Sequence, residues 1–289
     1  MTEQTRIRRT IETKAKAVAR QCLPPIVYSA IRRAAGGSSV MEYAGQEWPS
    51  DSLTSPGWNE AAVANQLHDW WDTYVRGVKG SGPIGFAPWE PGARSEAYHN
   101  VVLTFAYVLG RAGHGNQRLS ILDYGGCLGH YAVIAKAMLP EMSFDYTVKE
   151  VDSLCQVGSK LLPDISFTAS DDECFSRHYD LVMASNSMQY IEDWKATLRR
   201  LREATDKWLL ITCLETVSRT PRFVVVHRPF QYGAQTRFWS WVFNRSEFLA
   251  HMKGLDVILD REFLAGGKQR YKNAPEDSER VGFLFRVRH

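Results

Sequence analysis

Nothing in the 289 residues amounts to a metal cage, a disulfide framework or a membrane span. Five cysteines (Cys22, Cys127, Cys155, Cys174, Cys213) are scattered, odd in number and lack Cys-x-x-Cys spacing. That usage fits reduced thiols in a cytoplasmic protein and speaks against zinc. None of the eight histidines stands four positions from another, so no metal ligand set is expected. No apolar run approaches the roughly 18 residues that span a bilayer. The basic N-terminus lacks the apolar core and cleavage site of a signal peptide. A net charge of only +3 does not describe a general nucleic-acid binder. A full Gly-x-Gly-x-x-Gly is missing as well. From Gly125 the frame runs through Cys127 to His130, and from Gly126 through Leu128 to Tyr131. Both frames fail as a dinucleotide fingerprint.

What the chain does hold is a sizeable apolar fraction, 44% with nine tryptophans, and one informative run. Residues 119–131 read Leu-Ser-Ile-Leu-Asp-Tyr-Gly-Gly-Cys-Leu-Gly-His-Tyr. A short apolar strand ends in Asp123, a glycine turn follows, and an apolar helical pattern begins at Tyr131. In that context a glycine loop lets backbone come close to a nucleotide-like ligand. The frame that fits is Asp-x-Gly-x-x-x-Gly. It looks like the first motif of class I S-adenosylmethionine-dependent methyltransferases, with Cys127 at a position usually held by glycine. Such a cofactor has an ammonium and a ribose, which suit nearby acids. A pyrophosphate prefers bare amides at a helix N-terminus.

The pattern after residue 119 alternates. Strands are expected near 120–125, 144–151, 165–169, 179–185 and 208–214, with helices near 130–139, 152–162 and 193–205. This rhythm predicts a parallel sheet covered on both faces, closed by two final strands at 255–264 and 281–287. Asp193 is a predicted N-cap, and Asn244 with Glu247 a predicted capping box. Upstream, Val63, Leu67, Trp70, Trp71, Tyr74, Val75 and Val78 form a helical core stripe, and a second helix covers about 96–111. Residues 79–92 read as a glycine- and proline-rich connector.

The expected division is a basic amphipathic arm (1–36), a linker (37–57), a helical cap (58–112) and a Rossmann-like domain (113–289). Residues 1–36 carry eight Lys/Arg against two Asp/Glu. That balance suits a partner or peripheral contact with an anionic membrane, here the inner face.

Candidate site residues follow the carboxyl ends of the strands, where open α/β sheets bind ligands. Glu150, at the end of the second strand, is placed to accept ribose hydroxyls. Asp171 or Asp172, after the third, would face the adenine amino group. Ser185, Asn186 and Ser187, after the fourth, would meet the methionine end, with Gln189 and Tyr190 toward the acceptor. The stretch 221–243 interleaves seven aromatics, Tyr232 among them, with His227, Arg228 and Arg237, and reads as an acceptor lid. His227 is the expected base for an acceptor hydroxyl and Tyr190 its companion. His130 is expected to order the loop.

Over roughly residues 20–289 the chain resembles methyltransferases encoded in bacterial surface-polysaccharide gene clusters. The likeness runs from Leu-Pro-Pro-Ile near 23–26 through the glycine motif and Lys-Glu-Val at 149–151. It continues in Asp-Leu-Val-Met-Ala-Ser-Asn-Ser-Met-Gln-Tyr-Ile-Glu-Asp, Phe-Val-Val-Val-His-Arg-Pro and Trp-Val-Phe-Asn-Arg-Ser-Glu-Phe-Leu. The resemblance implies a class I fold: a mostly parallel seven-stranded sheet with helices on both faces, plus an N-terminal helical extension. It implies S-adenosylmethionine held by Asp123, Gly125, Gly126, Gly129 and Glu150, and a glycan or nucleotide-sugar acceptor. The alternatives are a dinucleotide-dependent oxidoreductase and a non-catalytic scaffold that binds the same cofactor.

Overall fold

A computed structural model of the chain describes residues 40–50, 57–87, 90–228 and 237–288. The arm expected at 1–36, and Tyr232 of the expected lid, lie outside the described residues. The strands are β1 (Val40–Gly45), β2 (Phe86–Ala87), β3 (Glu90–Arg94), β4 (Arg118–Tyr124), β5 (Ser143–Lys149), β6 (Ser166–Thr168), β7 (Tyr179–Ser185), β8 (Thr205–Val217), β9 (Phe223–Arg228), β10 (Phe238–Asn244), β11 (Val257–Gln269) and β12 (Ser278–Val287). The helices are α1 (Ala61–Lys79), α2 (Glu96–Gly113), α3 (His130–Met138), α4 (Asp152–Leu161), α5 (Asp171–Cys174), α6 (Trp194–Glu203) and α7 (Arg245–Lys253).

Strands β6-β5-β4-β7-β8 are parallel and carry the alternation that the sequence predicts. Beyond them the sheet departs from seven mostly parallel strands: it has ten, and it forks at β8. One branch is antiparallel, β8 to β12 to β11. The other starts above the end of β7. There Thr216 and Val217 of β8 pair in parallel with Phe243 and Asn244 of β10, which continues antiparallel to β9 and β1. One expectation is thereby corrected: the linker at 37–57 contains a sheet strand, with Val40 opposite Arg228, because it pairs across more than 180 residues, which no local periodicity reports. Within the expected lid at 221–243 the described residues form β9 and most of β10, which pair with each other. The connector at 79–92 likewise holds part of the small β2–β3 hairpin.

Helices cover both faces. On one, Trp194, Leu198 and Leu201 of α6 and Phe248 and Met252 of α7 pack with Val182, Leu209 and Ile211. On the other, Val102, Phe105 and Leu109 of α2 and Ala132 and Ala135 of α3 pack with Ile121, Leu181 and Met183. The α1 stripe buries Val63, Leu67, Trp71 and Tyr74 beside Leu128, Val133 and Leu154, which sets α1 over the start of α3 and α4. N-caps start α6 and α7 where the sequence indicates. Asp193 Oδ1 accepts from Ala196 N, and Asn244 Oδ1 accepts from Glu247 N. The second half of the capping box is absent, because the Glu247 carboxylate turns to Arg222 and Lys195. Among the described residues no helix is long and apolar enough to cross a membrane.

Candidate cofactor and acceptor site

The turn after β4 exists because its glycines have no side chains. Gly125 (φ 76°) and Gly129 (φ 83°) occupy the left-handed region. A β-carbon on Gly125 would lie 2.3 Å from Ser187 Cβ, and one on Gly126 2.6 Å from the Asp123 carboxylate. Cys127, with a φ of 57°, is strained where glycine would not be. Its N–H donates to Glu150 Oε2 at 2.9 Å, and Val151 N–H donates to Oε1 at 2.9 Å. Glu150 therefore ties the glycine turn to the start of α4. A carboxylate has about four lone-pair sites, so each oxygen can still accept from a ligand. Burial raises its pKa above the ordinary range.

Asp123 lies under the same turn, fully buried. Tyr146 donates its hydroxyl to Oδ2 at 2.9 Å, while Oδ1 is buried with no partner. Burial pushes this carboxyl up to about 7, with the Glu150 charge adding to it and the Tyr146 bond opposing. An acceptor left without a donor costs about 1–3 kcal/mol, so a cationic donor at that oxygen would relieve it. His130 is wedged between Trp71 and Tyr74, ring centroids 5.3 and 4.7 Å away, and Tyr74 donates to its carbonyl. Burial pushes the imidazole down to about 3, so it stays neutral and fills space beside the loop.

The two acids after β6 part company. Asp171 accepts from the Tyr124 hydroxyl at 3.1 Å and pairs with Lys149 at 3.0 Å. Asp172 is 94% exposed and pairs with Arg200 on the surface. After β7, Ser185 Oγ shares a hydrogen bond with Tyr131 Oη at 2.6 Å, and Ser187 Oγ donates to the Tyr124 carbonyl at 2.7 Å. Asn186 sits at φ 55° and accepts from Gln189 Nε2 at 2.8 Å. Gln189 is itself buried, and its Oε1 has no partner.

A string of rings joins this loop to the branch above it. Tyr190 meets Trp58 edge-on at 5.1 Å, Trp58 lies 4.4 Å from Phe238, and Phe238 lies 5.9 Å from His227. Trp58 Nε1 and His227 Nε2 are buried without partners. Burial lowers the His227 pKa, so the imidazole is neutral near pH 7, and burial pushes the Tyr190 phenol up to about 12. Arg228 pairs with Glu42 of β1 at 3.5 Å, and Arg237 is exposed just before β10. Tyr146, Tyr131 and Trp58 have no counterpart in the sequence reading. Their partners are 23, 54 and more than 130 residues away, and only the fold reveals them.

No protein-family model matches the chain, and no curated protein matches it. Solved structures resemble it in outline. Magnesium protoporphyrin IX methyltransferase from Synechocystis, with bound SAM, is 12% identical over 80% of this chain and 97% of that one, at a TM-score of 0.47. DesVI from Streptomyces venezuelae is 14% identical over 65% and 90%, at 0.40. A S-adenosylmethionine-dependent methyltransferase from Clostridium acetobutylicum is 10% identical over 64% and 90%, at 0.41. At such identities residue roles do not transfer, and the site stands on its own geometry.

Proposed function

We propose that the chain is an S-adenosylmethionine-dependent methyltransferase acting on a hydroxyl of a sugar or glycan in surface-polysaccharide biosynthesis. The observation that carries this reading is Asp123 Oδ1, a buried acceptor without a donor, beneath a turn whose glycines leave no room for a β-carbon. A cofactor ammonium satisfies that oxygen. Glu150 would accept the ribose hydroxyls, Asp171 the adenine amino group, and Ser185 to Ser187 would flank the methionine end. A pyrophosphate would instead meet two carboxylates at this turn, which disfavours a dinucleotide.

When bound, S-adenosylmethionine supplies a methyl group on a cationic sulfur, an electrophile ready for in-line attack. The protein's part is to hold an acceptor hydroxyl in position and to take its proton. His227 suits the second task, because a neutral imidazole with a free Nε2 is a base. The ring string from Tyr190 to His227 offers apolar faces on which a sugar can stack, and Gln189 Oε1 an acceptor for one of its hydroxyls. The +6 balance of residues 1–36 supports peripheral contact with an anionic membrane. Cosedimentation with anionic vesicles, with and without those residues, checks it.

Calorimetry with S-adenosylhomocysteine and with NAD tests the cofactor, and labelled methyl donor with a panel of nucleotide-sugars and oligosaccharides tests the reaction. Binding of S-adenosylhomocysteine alone and label on a sugar are expected. Affinity for NAD only would reverse the reading, and cofactor binding with no labelled acceptor would leave a scaffold.

A further inference from the structure

One buried ion pair stands at the ligand edge outside the cofactor machinery. Strand β8 bulges where it passes the end of β7: Ile211 faces Phe283 and Leu214 faces Val281, so Thr212 and Cys213 both oppose Gly282. Cys213 sits at φ 56° there, and a β-carbon on Gly282 would strike Thr212 Oγ1 at 2.5 Å. Because strand side chains alternate, the extra residue reverses the facing of all that follow. Leu209 and Ile211 before the bulge, and Leu214 after it, share the face of Trp194 and Phe248. Glu215 is thereby turned to the other face, with Cys213, which packs beside Tyr131 and Val101. Without the bulge its carboxylate would enter an apolar core.

Glu215 is only 3% exposed, and both its oxygens are used. Oε1 accepts from Arg280 Nε at 2.9 Å and pairs with its Nη2 at 2.7 Å, and Oε2 accepts from Ser278 at 2.7 Å. The exposed partner is the arginine, with 31% of its side chain accessible against 4% for the glutamate. One edge of the guanidinium fork is thus fixed, and Nη1 has no partner among the described residues. Two positions along β12 from Arg280, Thr212 Oγ1, the atom that a β-carbon on Gly282 would strike, is buried and unpartnered. Tyr190 feels the charges of both Arg280 and Glu215. Thr212 pairs with Ser185, so Glu215 stands three residues beyond the end of β7, roughly 7–10 Å along the strand.

We infer that Arg280, oriented by Glu215, is the specificity-determining residue that recognises an anionic group, phosphate or carboxylate, on the acceptor. This rests on the cofactor reading above and adds the acceptor's charge to it. A preorganised arginine with a free edge makes short, charge-assisted bonds to such oxygens. A pair that only stapled β8 to β12 would not need the arginine to be the accessible partner, with one guanidinium nitrogen left over.

The test uses full-length protein saturated with S-adenosylhomocysteine and three calorimetric probes: UDP-glucose, glucuronic acid and neutral methyl glucoside. At least one charged probe is expected to bind tenfold or more tightly than the neutral one, and which it is separates phosphate from carboxylate. Arg280→Met should abolish the advantage and Arg280→Lys keep part of it, with cofactor affinity unchanged. Arg280→Met strands a buried carboxylate, so the double variant Glu215→Gln/Arg280→Met is measured beside it, and it should fold and show no preference. Equal affinity for charged and neutral probes, no binding of either charged probe, or a preference that survives Arg280→Met would overturn the inference. If S-adenosylhomocysteine itself does not bind, the cofactor reading has failed, and the same probe comparison without it still decides the role of Arg280.

Discussion

Between Asp123 and Glu150 the chain builds one half of the site from two successive strand ends and the turn after the first, whereas the other half draws on Trp58, Gln189, Glu215, His227 and Arg280. On the cofactor side geometry is imposed by exclusion: three glycines leave room for nothing but backbone, and Glu150 locks the result with two amide bonds. On the acceptor side it is imposed by attraction across long separations. Glu215 meets Arg280 65 residues on, and Trp58 bridges Tyr190 and Phe238. The first half therefore fails when a β-carbon is added to Gly125 or Gly126, whereas the second fails when one member of a distant pair is removed.

The largest effect is expected where exclusion is strictest. Gly125→Ala places a methyl 2.3 Å from Ser187 Cβ at a φ of 76°. The strain and clash should cost about 3–4 kcal/mol, which taken from cofactor binding weakens it by roughly 150- to 900-fold. Calorimetry of the folded variant checks this, and near-normal affinity would mean that the turn does not hold the ligand. Asp123→Asn comes next, and it acts through pH. The folded carboxyl titrates near 7 against an ordinary 3.8, so the folded chain keeps a proton that the unfolded chain releases. That stabilising share is complete below about pH 3.8 and is lost as pH rises through 7. Without cofactor the asparagine variant should gain on the parent between pH 4 and 8, by about 2–4 kcal/mol at the top. Melting curves across that range would show a constant difference if Asp123 were already well solvated or paired.

Much of the first half was legible in the sequence, because a motif of consecutive residues carries its own geometry. Asp123, the glycines and Glu150 lie where strand–turn–helix spacing puts them, and the five parallel strands follow from alternation alone. The branch made by β10, β9 and β1 was not legible. Val40 to Gly45 has strand propensity in a stretch rich in glycine, serine and proline, and only its distant partner β9 makes it a strand. The bulge at Cys213 was equally hidden, since an unbroken apolar run says nothing of which face each residue takes. Glu215 lies just past the strand expected at 208–214 and carried no signal of its own, though the fold makes it one of the few buried charges among the described residues.

His227→Gln probes the boundary between the halves. Burial lowers the histidine's pKa below its usual 6.5, so the base form persists through neutral pH and the acid limb of kcat/KM should fall below 6.5. Loss of a general base costs roughly 100-fold at pH 7, and the glutamine variant should also lose that limb. A variant as slow as expected but with the limb intact would assign the limb to another group. A full-speed variant would move the base elsewhere among the acceptor-side residues.

The smallest contrast is between neighbours in sequence. Asp171 is held by Tyr124 and Lys149 beside the end of β4, while Asp172 points into solvent toward Arg200. If adenine is read by an acid here, Asp171→Asn should weaken S-adenosylhomocysteine by about tenfold, the scale of one hydrogen bond to a charged group. Asp172→Asn removes only an exposed ion pair and should change affinity by less than about twofold. Equal losses at both positions would point to the summed negative charge of the α5 turn. A loss confined to Asp171 would tie recognition to the side chain that the Lys149–Tyr124 network orients, and so extend the first half of the site by one more strand end.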